Sequence, residues 1–305
     1  MTDIHSIVSG ELPSQIDFNI EGKTLVIQLR PKGLIENMQS DPAAFEGWAM
    51  CLKANYPKHF SNVVIQWEPL DIGSLSPSER GHYYRFLYRA DKFQTNYPDW
   101  VSICPSVPQS VIDEIPQWVL NYPGKDSTES EKENPNAESH LERRLLSLMR
   151  NHFSVANHQL PVGLFYKTVS SKTEYARTSR GLSQIDLWSL DNDVLTVYEL
   201  KNDVNISVGI VSEVQFYANV INDLVCHRVN YPSDFFKKKK HYRDTEKLAA
   251  AIYPSNRIKK VNGVLLADKL HPFVTNEVIS LLATNKSGIG YSAVSVQDFE
   301  KELLK

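Results

Sequence analysis

Three charged residues stand on two short segments that otherwise have the composition of buried β-strands. The first segment, residues 184–190, carries Asp186, and the second, residues 194–202, carries Glu199 and Lys201. Both segments are rich in β-branched, aromatic and leucine residues, and the Asp-Asn-Asp sequence between them favours a turn. The pattern therefore predicts a β-hairpin that carries two carboxylates and one amine.

The turn decides which residues of this hairpin face each other. If Asn192 and Asp193 form a two-residue turn, Asp186 is directly opposite Glu199, with both side chains on one face of the sheet. Lys201 follows Glu199 by two residues and shares that face. Directly opposed residues have Cβ atoms about 5 Å apart, and two carboxylates at that range repel each other. We therefore expect a cation between them.

The residue types at this position suit a hard divalent cation. Mg²⁺ accepts carboxylate and backbone carbonyl oxygens, and it keeps several waters where few carboxylates are present. We predict that Asp186, Glu199 and the carbonyl oxygen of Leu200 bind Mg²⁺, with Mn²⁺ as a substitute, and that Lys201 orients or deprotonates a bound water. A single Glu-x-Lys is most often a solvated charge pair. A structural ion network of the three side chains is a further alternative to the metal site.

These residues resemble the PD-(D/E)XK nuclease superfamily, most closely its RecB-like branch, over residues 136 to about 296. The residues that carry the resemblance are, in chain order, Asp186, Glu199, Leu200, Lys201, Gln215 and Tyr217. The chain departs from the pattern in two places. Ile185 stands where many members have proline, and the tyrosine follows the glutamine by two residues where four is the commoner spacing.

The resemblance implies an α/β fold with a restriction-endonuclease-like αβββαβ core and a mixed sheet. It also implies a hydrolase: a Mg²⁺-dependent nuclease that cleaves phosphodiester bonds, with DNA expected before RNA, and leaves 5′-phosphate and 3′-hydroxyl ends. The catalytic set that it implies is Asp186, Glu199, Lys201, Gln215 and, on the first helix, Glu142. Glu138, one turn before Glu142, is the second choice. The alternative function is a catalytically silent nucleic-acid or protein-binding module on the same fold.

Positive charge is concentrated in the part of the chain that carries the motif. Residues 1–122 hold 9 lysines and arginines against 14 acidic residues, whereas residues 137–305 hold 22 against 18. Lysine and arginine supply most of the non-specific affinity of proteins for nucleic acid by neutralising phosphates. The predicted substrate-binding residues are Lys167, Lys172, Arg177, Arg180, Tyr217, Lys237 and Lys238. Solvated strand ends and an ordinary charge run are the alternative explanation for the basic ones.

Length and composition favour two folded domains in a protein of the cytoplasm. We predict a smaller α+β domain of unknown role at residues 1–122, a polar linker at 123–136 and the nuclease-like domain at 137–305. No apolar run is long enough to cross a bilayer, and the N-terminus has no basic start followed by an apolar core. The expected partner is nucleic acid and not a membrane, and a homodimer is left open.

Within these domains the hydrophobic pattern predicts the order of elements. From residue 137 the order is helix, three strands, helix, strand, helix, strand, helix, with the first strand at 162–175. In the N-terminal domain we predict a helix capped by Asp41 and a second helix that begins with a capping box, Ser76 to Glu79. On this second helix the aromatic residues should face the core, and the arginines should face solvent.

Overall fold

The chain folds into two compact units that are interleaved in the sequence. The computed structural model describes residues 3–124, 138–178, 183–202 and 206–305. The first unit comprises Met1–Glu114, Ser207–Glu213 and Leu270–Ser287. The second comprises Ile115–Ile206, Val214–Lys269 and Gly288–Lys305. The division is therefore not a single cut in the sequence, and most of the predicted linker, from residue 125 onward, lies outside the described residues.

Helices and strands are both present throughout the described chain. The helices are α1 (Pro31–Ile35), α2 (Phe45–Asn55), α3 (Pro77–Asn96), α4 (Gln109–Glu114), α5 (Glu138–His152), α6 (Gly209–Val225), α7 (Thr245–Ile252), α8 (Asn276–Leu282) and α9 (Val296–Leu303). The strands are β1 (Ile16–Glu21), β2 (Thr24–Leu29), β3 (Asn62–Trp67), β4 (Val101–Cys104), β5 (Trp118–Leu120), β6 (Val155–Pro161), β7 (Leu164–Tyr166), β8 (Gln184–Asp191), β9 (Val194–Lys201), β10 (Lys260–Ala267) and β11 (Gly290–Val294). The fold is mixed α/β, and no helix in the described ranges is both long and apolar enough to span a bilayer.

The first unit contains a four-stranded sheet with the order β1-β2-β3-β4. The first pair is antiparallel and the other two pairs are parallel. The predicted capping box of α3 is confirmed, because the Ser76 N–H donates to Glu79 Oε2 at 2.9 Å and the Ser76 side chain accepts in return. The predicted cap at Asp41 is wrong. Asp41 opens a separate 3₁₀ turn, and Ala44, whose ψ of 44° is not helical, divides that turn from α2.

Helix α3 is buried around most of its surface, so the expectation of solvated arginines is wrong. Arg85 and Arg89 are each 3% exposed. Arg89 forms an ion pair with Glu46 of α2, donating from Nε to Oε1 at 2.8 Å, and it also donates from Nη2 to the Ala43 carbonyl at 2.8 Å. A buried guanidinium is tolerated when a carboxylate and carbonyls satisfy it. Helical spacing could not reveal this partner, which lies on another helix.

Replacing Arg89 with methionine should lower the free energy of unfolding by about 3–5 kcal/mol, because Glu46 would remain buried without its partner. Urea denaturation measures this change. The matched control is Arg30→Met, which breaks an ion pair with Asp17 whose side chains are 52% and 45% exposed. That substitution should cost less than about 1 kcal/mol. Equal losses in the two variants would contradict the prediction.

The second unit contains a five-stranded mixed sheet with the order β11-β10-β9-β8-β6. Strands β6, β8 and β9 are antiparallel neighbours, and β9, β10 and β11 are parallel. Helices α5 and α9 pack on one face of the sheet. The core on that face includes Leu145, Leu146, Met149, Leu187, Tyr198, Leu200, Phe299 and Leu303. Because side chains alternate along β9, Glu199, which lies between Tyr198 and Leu200, faces the opposite side.

That opposite face lies against helix α6. Gly263 of β10 is paired with Val197 of β9, and a Cβ at Gly263 would lie 3.0 Å from Cγ2 of Val214 in α6. Val197, Glu199 and Lys201 share one side of their strand because they are two residues apart. The missing side chain at Gly263 therefore lets α6 approach the face of the sheet that carries Glu199 and Lys201.

The first strand of this sheet lies upstream of its predicted position at 162–175. The strand that pairs with β8 is β6, whereas β7, which lies inside the predicted range, pairs with β5 in a separate two-stranded sheet. The β6 sequence, VANHQLP, is polar at its centre and ends in proline. Proline is tolerated in a strand at the edge of a sheet, where its missing N–H costs no ladder bond. The edge position of β6 explains why an apolar pattern did not identify it.

Candidate functional site

The hairpin of β8 and β9 has the register predicted from its turn. Its pairs begin at the turn and end at Leu187 with Tyr198. Asn192, the first central residue of the turn, has a φ of 52°, and the two-residue turns that suit a hairpin require a positive φ at this position. Asp186 is the next residue on β8 after the last pair, and Glu199 is the next on β9. The strand register thus brings these two acidic residues to the same end of the hairpin.

The carboxylate of Asp186 reaches the main chain of β9. Its Oδ2 accepts a hydrogen bond from the N–H of Leu200 at 2.9 Å, and the side chain is partly exposed. An ionised carboxylate has about four lone-pair sites, and this bond occupies one of them. The bond fixes Asp186 beside Leu200, which stands between Glu199 and Lys201 in the sequence.

Glu199 and Lys201 form a buried ion pair. Lys201 Nζ donates to Glu199 Oε1, and the two side chains are 5% and 2% exposed respectively. In the parallel strand β10, Leu265 is paired with Glu199 and Ala267 with Lys201, and neither of these two side chains has a polar group. An ammonium or carboxylate taken out of water without a partner costs several kcal/mol. The two charges therefore stabilise each other in the interior, and the structure brings together the three residues on which the functional hypothesis depends.

Few oxygen atoms here can serve as metal ligands, but their chemistry suits a hard cation. Within the described ranges no group of three or more histidine, cysteine, aspartate or glutamate side chains is arranged to hold a metal. Asp186, Glu199 and the Leu200 carbonyl offer two carboxylates and one main-chain oxygen. Mg²⁺ is commonly bound by one or two carboxylates and keeps several waters, whereas Zn²⁺ takes nitrogen and sulfur ligands. The residues present therefore fit Mg²⁺ or Mn²⁺ and not a structural zinc.

The two candidate glutamates of α5 contact different strands. Glu142 is buried and hydrogen-bonded to His158 Nδ1, and its Oε2 accepts from Gln159 Nε2 at 3.2 Å, so it binds the edge strand β6. Glu138 Oε2 accepts from the N–H of Asn202, the residue that follows β9, at 3.3 Å. The second choice, Glu138, is thus the one that contacts the residue directly after Lys201.

His158 is a partner of the candidate residue Glu142 that sequence reasoning missed. It lies on β6, paired with Leu187 of β8, and its ring binds the carboxylate of Glu142. The signal was present, because a polar Asn-His-Gln run stands between Ala156 and Leu160. A first strand predicted at residues 162–175 puts His158 in a connection, whereas the structure puts it on β6.

The two predicted residues of α6 are both buried. Gln215 directly follows Val214, which packs next to Gly263 on the sheet, and its main-chain carbonyl accepts from Asn219 Nδ2 at 2.8 Å. This position is on the side of the sheet that carries the Glu199–Lys201 pair. Tyr217 is buried as well, which does not suit direct contact with a substrate. Of the two, Gln215 fits the candidate site better.

The predicted basic contacts divide into exposed and buried residues. The exposed ones are Lys167, Lys172, Lys237 and Lys238. Arg177 is buried, and its Nη1 donates to the carbonyl of Glu174 at 2.6 Å, so its guanidinium supports its own loop. Arg180 lies outside the described residues. A direct phosphate contact is therefore supported by exposure for the four lysines and not for Arg177.

Comparison of the whole chain with family models, with curated proteins and with solved structures gives no match in any of the three cases. The resemblance to the PD-(D/E)XK superfamily accordingly depends on the individual residues described above and stays a prediction. The function has to be inferred from the chemistry of these side chains and from the order of the strands.

Proposed function

We propose that this chain is a Mg²⁺-dependent nuclease that hydrolyses phosphodiester bonds, with DNA as its expected substrate. One observation carries the proposal. At one end of a single hairpin, Asp186 is bound to the main chain of Leu200, and the flanking residues Glu199 and Lys201 form a buried ion pair. Burying the charges of Glu199 and Lys201 is costly, and the chemistry of the three side chains matches what hydrolysis of a phosphodiester needs.

The strand order of the second unit supports the same proposal. Helix α5 is followed by the antiparallel strands β6, β8 and β9, then by helix α6 and by β10, which is parallel to β9. With α7 inserted between α6 and β10, this order supports the αβββαβ arrangement that we propose for a restriction-endonuclease-like core. Strand β7 pairs outside this sheet and does not interrupt it. We include that core in the proposal because the residues in question lie on its second and third strands.

The proposal gives each side chain a task. Asp186, Glu199 and the Leu200 carbonyl would hold the cation, which when bound polarises a phosphodiester oxygen and lowers the pKa of a water. Lys201 orients the attacking water as an ammonium, or takes the water's proton when it is in its neutral amine form. Glu138, at the N–H of Asn202, stabilises the end of the strand that carries Lys201. The expected products have a 5′-phosphate and a 3′-hydroxyl.

Incubation of the purified protein with DNA tests the proposal. Circular, linear and branched DNA should be cleaved in Mg²⁺ or Mn²⁺, and an excess of EDTA should abolish the cleavage. Cutting of a closed circle would identify an endonuclease, whereas loss of linear DNA alone would identify an exonuclease. Intact DNA and RNA after incubation with either metal would contradict the proposal.

The close contact of Glu199 with Lys201 favours a second candidate function. If this buried pair serves only to balance charge, the fold is a catalytically silent nucleic-acid or protein-binding module. Such a module would bind no divalent cation at Asp186. Calorimetric titration with Mn²⁺ separates the two candidates, since the nuclease should release or absorb heat on saturating one site and the silent module should not.

A further inference from the structure

Phe236 is an exposed aromatic residue on a surface of the second unit. It lies in a short 3₁₀ turn, Phe235–Lys237, and is 56% exposed. The turn is anchored by Phe235, which is buried and stacks on Tyr231 with ring centroids 4.4 Å apart. His241 packs on Phe235 as well, also at 4.4 Å. The Phe236 ring thus lies at the surface beside a packed aromatic cluster.

The contacts of Phe236 with its neighbours are all close to perpendicular. Its ring plane makes an angle of 86° with Phe235, 86° with Tyr231 and 78° with Tyr253. In such edge-to-face contacts two rings touch without lying parallel. Among the described residues, therefore, no ring stacks parallel on Phe236. A planar group from another molecule can stack on its solvent-exposed side.

Four consecutive lysines, residues 237–240, follow this ring and are all exposed. Lys238 is engaged within the protein, because its Nζ lies 4.6 Å from the ring centroid of Tyr122 and 3.6 Å from Asp234 Oδ2. Lys240 lies over Tyr242 at 4.7 Å. Within the described ranges Lys237 and Lys239 have no ion-pair partner. These two ammonium groups are therefore the ones best placed to bind an external anion.

We propose that Phe236, Lys237 and Lys239 form a contact site for single-stranded nucleic acid. A base stacks on Phe236, and the adjacent phosphates bind the two lysines. The inference rests on nucleic acid being the substrate of the proposed function, and it adds that the substrate has an unpaired segment. Only an unpaired base exposes its face for stacking on an aromatic side chain, and such stacking does not depend on sequence.

A membrane surface explains the same residues less well. Basic residues beside aromatic ones also occur on segments that lie on anionic lipid, but those segments bury a continuous apolar face. Among the described residues, the large hydrophobic side chains that are exposed are Ile206, Phe236 and Leu304. One ring beside four lysines suits a single stacked base, because both the charge and the ring then have a partner.

The site can be tested by fluorescence anisotropy with a labelled oligothymidylate in the presence of EDTA, which stops metal-dependent cleavage. Phe236→Ala should weaken binding by about 5-fold to 150-fold, the usual effect of removing one stacked base, and Phe236→Trp should restore it. Lys237→Gln combined with Lys239→Gln should lower the slope of log K against log salt by about 1.4, since each phosphate contact on a single strand contributes about 0.7.

Matched controls separate stacking from general effects. Leu304→Ala removes an apolar side chain that is 71% exposed, and Lys58→Gln with Lys301→Gln makes the same change in net charge at other exposed lysines. Both controls should bind like the unchanged protein. On a strand without bases, Phe236→Ala should bind as well as the unchanged protein. Equal binding of the oligothymidylate by Phe236→Ala and Leu304→Ala would overturn the site, as would equal losses on strands with and without bases.

Two further results decide against other ligands. Vesicles of anionic lipid should not compete with the oligothymidylate, and competition that Phe236→Ala removes would assign the site to a membrane. Duplex DNA should show no dependence on Phe236. The inference is distinguishable from the proposed function, because binding that requires Phe236 without any cleavage would reject the nuclease and keep the site. Cleavage by the unchanged protein, together with unchanged binding by Phe236→Ala, would reject the contact site and keep the nuclease.

Discussion

Replacing Lys201 with arginine should slow the cleavage of DNA by orders of magnitude while the protein still folds. The guanidinium of arginine stays protonated at all accessible pH values, so it cannot take a proton from water, and its planar fork does not reproduce the position of a single ammonium. Loss of a group that transfers or positions a proton lowers kcat by about 10²- to 10⁴-fold. Rates of cleavage at saturating DNA and Mg²⁺ measure this effect.

The arginine substitution separates a role in chemistry from a role in stability. Arginine still offers Glu199 a positive partner, whereas Lys201→Met removes the ammonium that neutralises this buried carboxylate and should cost about 3–5 kcal/mol of unfolding free energy. Lys260→Arg, at an exposed lysine on the neighbouring strand β10, is the control and should keep full activity. A Lys201→Arg protein as active as this control would show that Lys201 serves only as an ion-pair partner.

Replacing Asp186 with asparagine should remove the binding of divalent cations. The amide oxygen can still accept the hydrogen bond from the Leu200 N–H, so the hairpin should keep its geometry. The charge that a hard cation requires is lost. Removing residues that only support metal ligands already costs about 10- to 100-fold in affinity, so loss of a ligand should cost at least about 100-fold. Calorimetric titration with Mn²⁺ gives the affinity directly.

Asp191→Asn provides the control for Asp186→Asn. Asp191 is on the same strand but next to the turn, where its Oδ1 accepts from Ser154 Oγ at 3.0 Å. This substitution makes the same change of charge and should leave the affinity for Mn²⁺ unchanged. If both variants bind Mn²⁺ like the unchanged protein, Asp186 is not a ligand, and the silent binding module becomes the better account of the fold.

The hairpin and its register could be predicted because they depend on neighbours in the sequence. The turn residues Asn192 and Asp193 and the alternating strands on either side are local signals, and the observed pairs follow from them. The convergence of Asp186, Glu199 and Lys201 is a consequence of that register. This part of the candidate site was accessible without a structure because a single short loop connects its two strands.

Other features could not be predicted because they depend on contacts that are distant in the sequence. Arg89 is buried because Glu46, on another helix, neutralises it, and spacing along α3 gives no sign of this partner. Strand β6 is polar because it lies at the edge of the sheet, and edge position is a property of the assembled sheet. The exposure of Phe236 likewise depends on how Phe235 packs into its aromatic cluster.

Diffraction from crystals soaked in Mn²⁺, recorded where manganese scatters anomalously, tests the central claim most directly. The nuclease hypothesis predicts a single strong peak at ligand distance, about 2.0–2.3 Å, from oxygens of Asp186, Glu199 and the Leu200 carbonyl. The same crystals of Asp186→Asn should lack the peak. Absence of a peak in the unchanged protein, with Lys201 still bonded to Glu199, would contradict the account and leave a structural ion pair in its place.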